Sequence, residues 1–155
     1  MKPGVFTQMY IQLIFAVRNR DAALHPAIRD QVFKYISGIV THLKHKSIIV
    51  NGVADHVHIF FGFHSNITIS ETVKEIKQNS SLFINKENLC PGKFSWQEGY
   101  GAFSYSRSQI DDVYNYILKQ EQHHKKQTFR AEYLNFLKKF QVEFNPKYLF
   151  DFWDQ

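Results

Sequence analysis

The sequence contains a single cysteine, Cys90, among its 155 residues. One cysteine excludes a disulfide within the chain, and it also excludes a zinc site built from paired cysteines. Chains without internal disulfides are typical of a reducing compartment. We therefore expect a cytoplasmic protein.

Long apolar runs, internal repeats, low-complexity tracts and Ser/Gly-rich linkers are also missing. No stretch approaches the roughly 18 apolar residues of a membrane-spanning helix, and the first residues lack the apolar core of a signal peptide. The 4 prolines are scattered rather than clustered. We expect one soluble domain over residues 1–155, in which residues from about 128 to 155 form a C-terminal helix and an aromatic tail.

Aromatic and basic residues, in contrast, are plentiful. The chain has 15 Phe, 8 Tyr and 8 His, and its formal net charge is +5 at pH 7. A small basic domain with many aromatic side chains favours a polyanionic partner such as a nucleic acid, although a charge of this size is only weak evidence for one.

The spacing of apolar residues predicts alternating strands and helices. Two of the predicted strands are joined around residues 51–55, which begin with Asn51-Gly52, and form an antiparallel pair. The third predicted helix begins at Ser106 or Ser108, each of which fits a capping box. The order strand, helix, strand, strand, helix, strand, helix indicates an α+β protein with a ferredoxin-like split βαβ sheet, antiparallel, with helices packed on it and one added helix. Strands are predicted over residues 8–17, 47–53, 56–63 and 94–105, and helices from about residues 26, 70 and 106–108 and over 128–140.

The sequence His56-Val57-His58 lies inside the third predicted strand. Side chains alternate across a sheet, so the two imidazoles share one face and are close enough to bind one metal ion. Alternatively, the pair lies on a solvated surface. The apolar run that follows, residues 59–61, favours a central strand, where imidazoles need hydrogen-bonding or metal partners.

The third predicted helix presents a tyrosine outside its core stripe. Ile110, Val113, Tyr114 and Ile117 follow helical spacing and are expected to face the core. Tyr116 lies roughly 100° of rotation away from its neighbour Ile117. Gln120 follows Tyr116 by one helical turn, so a phenol and an amide can face a common point. A single tyrosine with this spacing is otherwise typical of an exposed helix face.

Two imidazoles, an amide and a phenol together indicate metal-assisted nucleophilic chemistry on a phosphodiester. A tyrosine hydroxyl is a weak nucleophile at pH 7, because its ordinary pKa is about 10. A divalent ion beside it would polarise the phosphate and stabilise the charge that develops during attack. The product would be a phosphotyrosine ester that conserves the bond energy for rejoining.

The chain resembles the single-tyrosine HUH transposases, the small transposases of the insertion-sequence two-hundred/six-hundred-five type. The resemblance covers nearly the whole chain, and its motifs follow one another in the family's order. These motifs are residues 55–59 (DHVHI), 73–81 (VKEIKQNSS), 99–104 (GYGAFS) and 116–124 (YILKQEQHH).

The resemblance implies a role for each of four side chains. His56 and His58 would be metal ligands, Gln120 the third ligand, and Tyr116, on the added helix, the catalytic nucleophile. It further implies a homodimer that cleaves and rejoins single-stranded DNA, often a hairpin, at the ends of an insertion element. Tyr116 would be joined to the 5′ phosphate. Whether the tyrosine and the histidines of one site come from the same subunit stays open.

The ion and the DNA contacts are less sharply indicated. Imidazole nitrogens suit transition metals, whereas amide and phosphate oxygens suit Mg²⁺ or Mn²⁺. The resemblance favours Mg²⁺ or Mn²⁺, and ligand softness alone ranks Mn²⁺ first. Basic residues of the second and third helices are candidates for phosphate contacts, although each is also typical of a solvated surface: Lys74, Lys77, Arg107 and Lys119.

Two other functions fit the same fold. The first is a domesticated, repeat-associated protein with the same chemistry that acts on chromosomal repeats. The second is a non-catalytic nucleic-acid-binding module, since ferredoxin-like sheets also bind RNA through surface aromatics. The simultaneous presence of Tyr116, Gln120 and both histidines favours an enzyme. His123-His124 is interpreted as a helix end, where cations interact favourably with the helix dipole.

Overall fold

The computed structural model describes residues 2–153. In this part of the chain, four strands form one antiparallel sheet in the order β2-β3-β1-β4. The predicted α+β class and antiparallel split βαβ sheet are confirmed. The strands are β1 (Tyr10–Ala16), β2 (Lys46–Gly52), β3 (His56–Gly62) and β4 (Gly101–Tyr105). Over the same residues, no helix combines the length and the apolarity needed to cross a membrane.

Two long helices, α1 (Pro26–His42) and α2 (Ile69–Lys86), pack against each other on one side of the sheet. Pro26 occupies the first turn of α1, where its missing N–H costs no hydrogen bond. Thr68 caps α2 by accepting a hydrogen bond from the Glu71 backbone N–H. The buried stripes of both helices join the inward residues of the sheet in one apolar core.

The alternation of side chains on β3 separates the two faces of the sheet. Val57, Ile59 and Phe61 belong to the core that includes α1 and α2. His56, His58 and Phe60 point to the opposite face. Three helices cover that face: α3 (Ile110–Leu118), α4 (Gln120–His123) and α5 (Phe129–Lys139).

The fourth strand is shorter than the sequence predicts, because only Gly101–Tyr105 pairs with β1. Upstream, a single bridge joins Trp96 to Val17. Side chains also bind the backbone of this segment: Asn85 exchanges two hydrogen bonds with Phe94. Continuous pairing with β1 therefore begins only at Gly101.

The tyrosine helix differs from its prediction in two respects. The predicted capping box of Ser106 with Gln109 is present, but the helix is interrupted at Lys119, so that Gln120 begins the short helix α4. Tyr114, predicted to face the core, is 38% exposed, and that prediction is wrong. Val113 and Ile117 are the buried residues of this helix that pack on Phe60, and the neighbouring position 114 is rotated by roughly 100° away from this contact.

The aromatic tail packs on α5. Phe150 and Phe152 are buried against Phe129 and Tyr133 of that helix. Gln97 also holds the tail: its side chain donates to the Asp151 carbonyl and accepts from the Asp151 N–H. Helix α5 is thus held between the sheet and the tail.

Candidate active site

His56 and His58 lie at the centre of the face covered by α3, α4 and α5. Both side chains are fully buried, and their ring centroids are 5.1 Å apart. β3 is a central strand flanked by β1 and β2, which explains the burial. The pair is therefore not on a solvated surface, and its nitrogens must be satisfied inside the protein.

Glu132, on helix α5, contacts both histidines with its carboxylate. Its Oε1 lies 3.1 Å from His56 Nε2, 3.3 Å from His58 Nε2 and 3.0 Å from His124 Nε2. The residue is 1% exposed. One buried carboxylate oxygen is therefore shared by three imidazoles.

Tyr116 and Gln120 complete the cluster from α3 and α4. The Tyr116 hydroxyl donates a hydrogen bond to Glu132 Oε2. The Gln120 amide donates to the same oxygen at 3.0 Å, and its Oε1 lies 3.2 Å from His56 Nε2. The structure thus brings together the four side chains predicted from the sequence, and it adds Glu132 at their centre.

The donor atoms at this point suit a divalent cation. His56, His58 and Glu132 each offer a ligand atom, and these atoms lie within 4.8 Å of one another. The separations of 3.1–3.3 Å between neighbouring donors are close to the roughly 3 Å edge of an octahedron with ligand bonds of about 2.1 Å. Two imidazoles, one amide oxygen and one carboxylate form a mixed set of nitrogen and oxygen donors that could hold a divalent metal ion.

Each imidazole is oriented through its other nitrogen. Asp55 Oδ1 lies 2.8 Å from His56 Nδ1, and Gln12 Nε2 lies 2.8 Å from His58 Nδ1. The His56 ring also stacks on Phe129, with centroids 3.7 Å apart. Such partners hold the Nε2 atoms towards a common point, as is usual for metal-binding histidines.

The electrostatics of the cluster centre on an ionised carboxylate. Burial alone would raise the pKa of Glu132, but the nearby His58 and hydrogen bonds with the surrounding imidazoles lower it. Burial alone would lower the pKa of His56, whereas its hydrogen bonds to Asp55 and Glu132 raise it to about 9. Burial lowers the pKa of His58. Burial and the adjacent carboxylate raise the pKa of Tyr116, so its hydroxyl is held protonated.

The tyrosine helix is fixed to the same chain's sheet. Asn51 of β2 donates to the carbonyls of Ile117 and Leu118, at 2.9 and 3.2 Å, and so satisfies the end of α3. The Tyr116 ring stacks on His123, with centroids 4.4 Å apart. A cavity of about 380 Å³ opens beside Tyr116 and Glu132, and it leads from this cluster towards solvent.

The four candidate DNA-binding residues are placed differently. Lys74, Arg107 and Lys119 are exposed. Lys77 is half-buried, and its ammonium donates to the carbonyls of Gln97 and Gly99 at 2.8 and 2.7 Å. Burial lowers the pKa of Lys77 to about 8. The ammonium of Lys77 therefore has a role in the fold, and DNA binding by all four residues stays a prediction.

Sequence reasoning missed Glu132 and the part played by His124. Helix α5 has buried aromatic residues at Phe129, Tyr133 and Phe136, and Glu132 lies in that same stripe. A carboxylate in an apolar stripe needs a buried partner, and this signal was available in the sequence. His124 does follow a helix end, as predicted, because α4 ends at His123, yet its Nε2 also faces Glu132.

Comparisons with known proteins agree with this architecture. Residues 5–120 match the family model described as "Transposase IS200 like". A candidate transposase from Deinococcus radiodurans R1 is similar in structure, with a TM-score of 0.61 and 21% identity over 77% of this chain and 96% of that one. A REP-associated tyrosine transposase bound to a REP hairpin is similar with a TM-score of 0.57 and 13% identity, over 80% of this chain and 74% of that one. No curated protein matches the sequence.

Proposed function

Because this chain belongs to the IS200-like transposase family, we propose that it cleaves and rejoins single-stranded DNA through a covalent bond between Tyr116 and a 5′ phosphate. In this proposal the enzyme acts at the ends of an insertion element. The observation that carries it is the convergence of Tyr116, Gln120 and both histidines on the Glu132 carboxylate.

Tyr116 is the nucleophile of the proposed reaction. Its oxygen attacks the scissile phosphorus and loses its proton, while the bond from phosphorus to the 3′ oxygen breaks and that oxygen leaves as a hydroxyl. Attack by a 3′ hydroxyl on the phosphotyrosine reverses these changes and rejoins the strand. Because the ester retains the phosphodiester bond energy, rejoining needs no further energy source.

His56, His58, Gln120 and Glu132 would hold the divalent ion. When bound, Mg²⁺ or Mn²⁺ supplies Lewis-acid polarisation of the scissile phosphate. The chain's own contribution is to direct two Nε2 atoms and two side-chain oxygens to one point among buried side chains. The buried, ionised Glu132 supplies the negative charge that attracts the cation.

The proposed substrate is single-stranded DNA with a hairpin. In support, the similar REP-associated tyrosine transposase is bound to a REP hairpin. The open side of the Tyr116 cavity offers a route for the strand. We also propose a homodimer, as the sequence resemblance implies. Tyr116 and the two histidines of one chain contact the same Glu132 carboxylate. This arrangement corresponds to a site whose tyrosine and histidines come from the same subunit.

The two other functions make different demands on this site. A repeat-associated protein would use the same residues, and only its DNA target would differ. A non-catalytic binding module would have no need for a tyrosine hydroxyl beside buried metal-binding groups. The intact cluster therefore favours the enzyme.

Covalent capture tests the proposal. We expect incubation with a single-stranded hairpin DNA and Mn²⁺ or Mg²⁺ to give a protein–DNA adduct that survives denaturing electrophoresis and disappears with a chelator. Tyr116→Phe should abolish the adduct. Tyr114→Phe is the matched control, since Tyr114 is an exposed tyrosine on the same helix, and it should form the adduct normally. An adduct that persists in Tyr116→Phe would disprove the assignment.

A further inference from the structure

Gln12 links the imidazole of His58 to Tyr105 at the edge of the cavity. Gln12 lies on β1 and is fully buried. Its amide nitrogen donates to His58 Nδ1 at 2.8 Å, and its Oε1 accepts from the Tyr105 hydroxyl at 2.7 Å. Gln12, Tyr105 and Tyr116 all line the same cavity. A continuous hydrogen-bonded path therefore connects the histidine pair to the side of the site where DNA would enter.

In this orientation of the Gln12 amide, the proton of a neutral His58 ring has one position. Since Gln12 donates to Nδ1, that nitrogen is the acceptor, and the ring proton lies on Nε2, which faces Glu132 Oε1 at 3.3 Å. A ligated Nε2 must be free of its proton, so the proton of a neutral ring must then lie on Nδ1. Nδ1 would then need an acceptor in place of the Gln12 amide nitrogen.

A glutamine can meet both requirements, because its amide has an acceptor end and a donor end. When the amide turns over, Oε1 accepts from His58 Nδ1–H and the nitrogen donates to the Tyr105 oxygen. His56 differs in this respect, because its Nδ1 faces the carboxylate of Asp55, which only accepts. The two histidines of the pair therefore have unlike partners, and only the partner of His58 can reverse.

We propose that Gln12 and Tyr105 form a relay that positions His58 and couples ion binding at the histidine pair to DNA binding in the cavity beside Tyr116. In one state the Tyr105 hydroxyl donates its hydrogen bond to Gln12 Oε1. In the other state the Tyr105 oxygen accepts from Gln12, and its proton is free for a phosphate oxygen of the DNA strand. Lys139 lines the same cavity and complements a phosphate there. By thermodynamic reciprocity, DNA would strengthen ion binding as much as the ion strengthens DNA binding.

This inference rests on the proposed function, because it requires an ion at His58. Its first test is the ring tautomer, which nitrogen-15 NMR of histidine side chains reports directly. We expect the His58 proton on Nε2 without metal and on Nδ1 with saturating Mg²⁺, while Nδ1 of His56 carries a proton in both states. A His58 proton that stays in one place while Mg²⁺ binds would overturn the relay and leave the proposed function standing. Absence of Mg²⁺ binding would contradict both.

Two substitutions at Gln12 separate positioning from packing. Gln12→Leu keeps a similar volume but provides no acceptor, and it should weaken Mn²⁺ binding by about 10–100-fold. Gln12→Glu provides an acceptor in the manner of Asp55, and it should bind Mn²⁺ within about 10-fold of the unsubstituted protein. Isothermal titration measures both, with thermal melts to establish folding. Equal losses in the two variants would show that position 12 matters only for packing.

Tyr105→Phe tests the coupling itself. In a Tyr116→Phe background, which prevents cleavage, the affinity for a single-stranded oligonucleotide is measured with and without Mg²⁺. We expect Tyr105→Phe to reduce the gain in affinity that Mg²⁺ gives by about 3–10-fold, the value of one hydrogen bond. Tyr114→Phe, the exposed control, should leave that gain unchanged. An unchanged gain in Tyr105→Phe would disprove the coupling.

Discussion

The hydroxyl of Tyr116 donates a hydrogen bond to the carboxylate of Glu132, although the two residues belong to different helices. Glu132 lies beyond residues 5–120, the segment that matches the family model. The same carboxylate contacts both histidines of β3. In this chain, a C-terminal helix therefore joins the candidate nucleophile to the candidate metal ligands, and the predictions that follow concern this helix and its supports.

Removal of the Glu132 carboxylate should weaken metal binding. We expect Glu132→Ala to lower the affinity for Mn²⁺ by at least about 10-fold, because the cluster loses its charged oxygen donor, and to reduce adduct formation in parallel. Isothermal titration and the covalent capture assay provide the measurements.

Glu121→Ala is the matched control for this substitution. Glu121 is an exposed carboxylate that forms a salt bridge with Arg29 at 3.3 Å. Loss of such a surface pair should change the free energy of unfolding by less than about 1 kcal/mol and leave Mn²⁺ binding unchanged. If Glu132→Ala instead formed more adduct than the unsubstituted protein, the carboxylate would be an obstacle to the reaction and not a ligand.

The aromatic tail should stabilise the site by holding α5. Phe152 is 5% exposed and packs on Phe129, so Phe152→Ala should lower the free energy of unfolding by about 3 kcal/mol. It should also weaken Mn²⁺ binding, because α5 carries Glu132. Tyr148→Ala, at a position that is 78% exposed, should have an effect within about 0.5 kcal/mol. Chemical denaturation compares the two, and equal stabilities would show that the tail does not support α5.

The close approach of α5 to β4 depends on Gly101. A Cβ at this position would lie 2.8 Å from the Tyr133 hydroxyl oxygen and 3.0 Å from Phe103 Cε2. Gly101→Ala should therefore cost about 1–3 kcal/mol through overpacking. Gly38→Ala, at an open position in α1, should stabilise the protein by about 0.5–1 kcal/mol. Thermal and chemical denaturation should give opposite signs for the two substitutions, and a neutral Gly101→Ala would mean that α5 can move away at no cost.

His45 should make stability fall in mild acid. Burial, with a smaller effect of His64, lowers the pKa of His45 to about 4, and its ring accepts from the His64 N–H and faces Thr72 Oγ1 at 2.9 Å. The unfolded chain takes up this proton near pH 6.5, before the folded protein does, so the contribution of neutral His45 is complete above pH 6.5 and is lost as the pH falls towards 4. The loss amounts to at most about 3 kcal/mol.

Comparison with His45→Gln isolates this contribution, because a glutamine does not titrate. We expect the free energy of unfolding of the variant to depend less steeply on pH between 4 and 6.5 than that of the unsubstituted protein. Parallel pH profiles for the two proteins would contradict a neutral, buried His45.

The sequence by itself determined the features that depend on local spacing. The two-residue period of β3 places His56 and His58 on one face. The separation of four residues keeps Gln120 near Tyr116, even though the helix is interrupted between them at Lys119. The order of the elements likewise leads to the antiparallel sheet, which the structure confirms. The exposure of Tyr114 could not be predicted in this way. Helical spacing groups Tyr114 with Val113 and Ile117, but it does not tell which edge of this apolar stripe packs on the sheet.

Tertiary structure alone decided which distant groups meet. Glu132 is separated from His56 by 76 positions, and Gln12 from His58 by 46, so no local period relates them. Their contacts arise because α5 is held on the sheet by the tail and because β1 pairs with β3. A buried carboxylate and a buried amide need partners, but only the packing of whole elements selects the partners, and here it selects the two histidines.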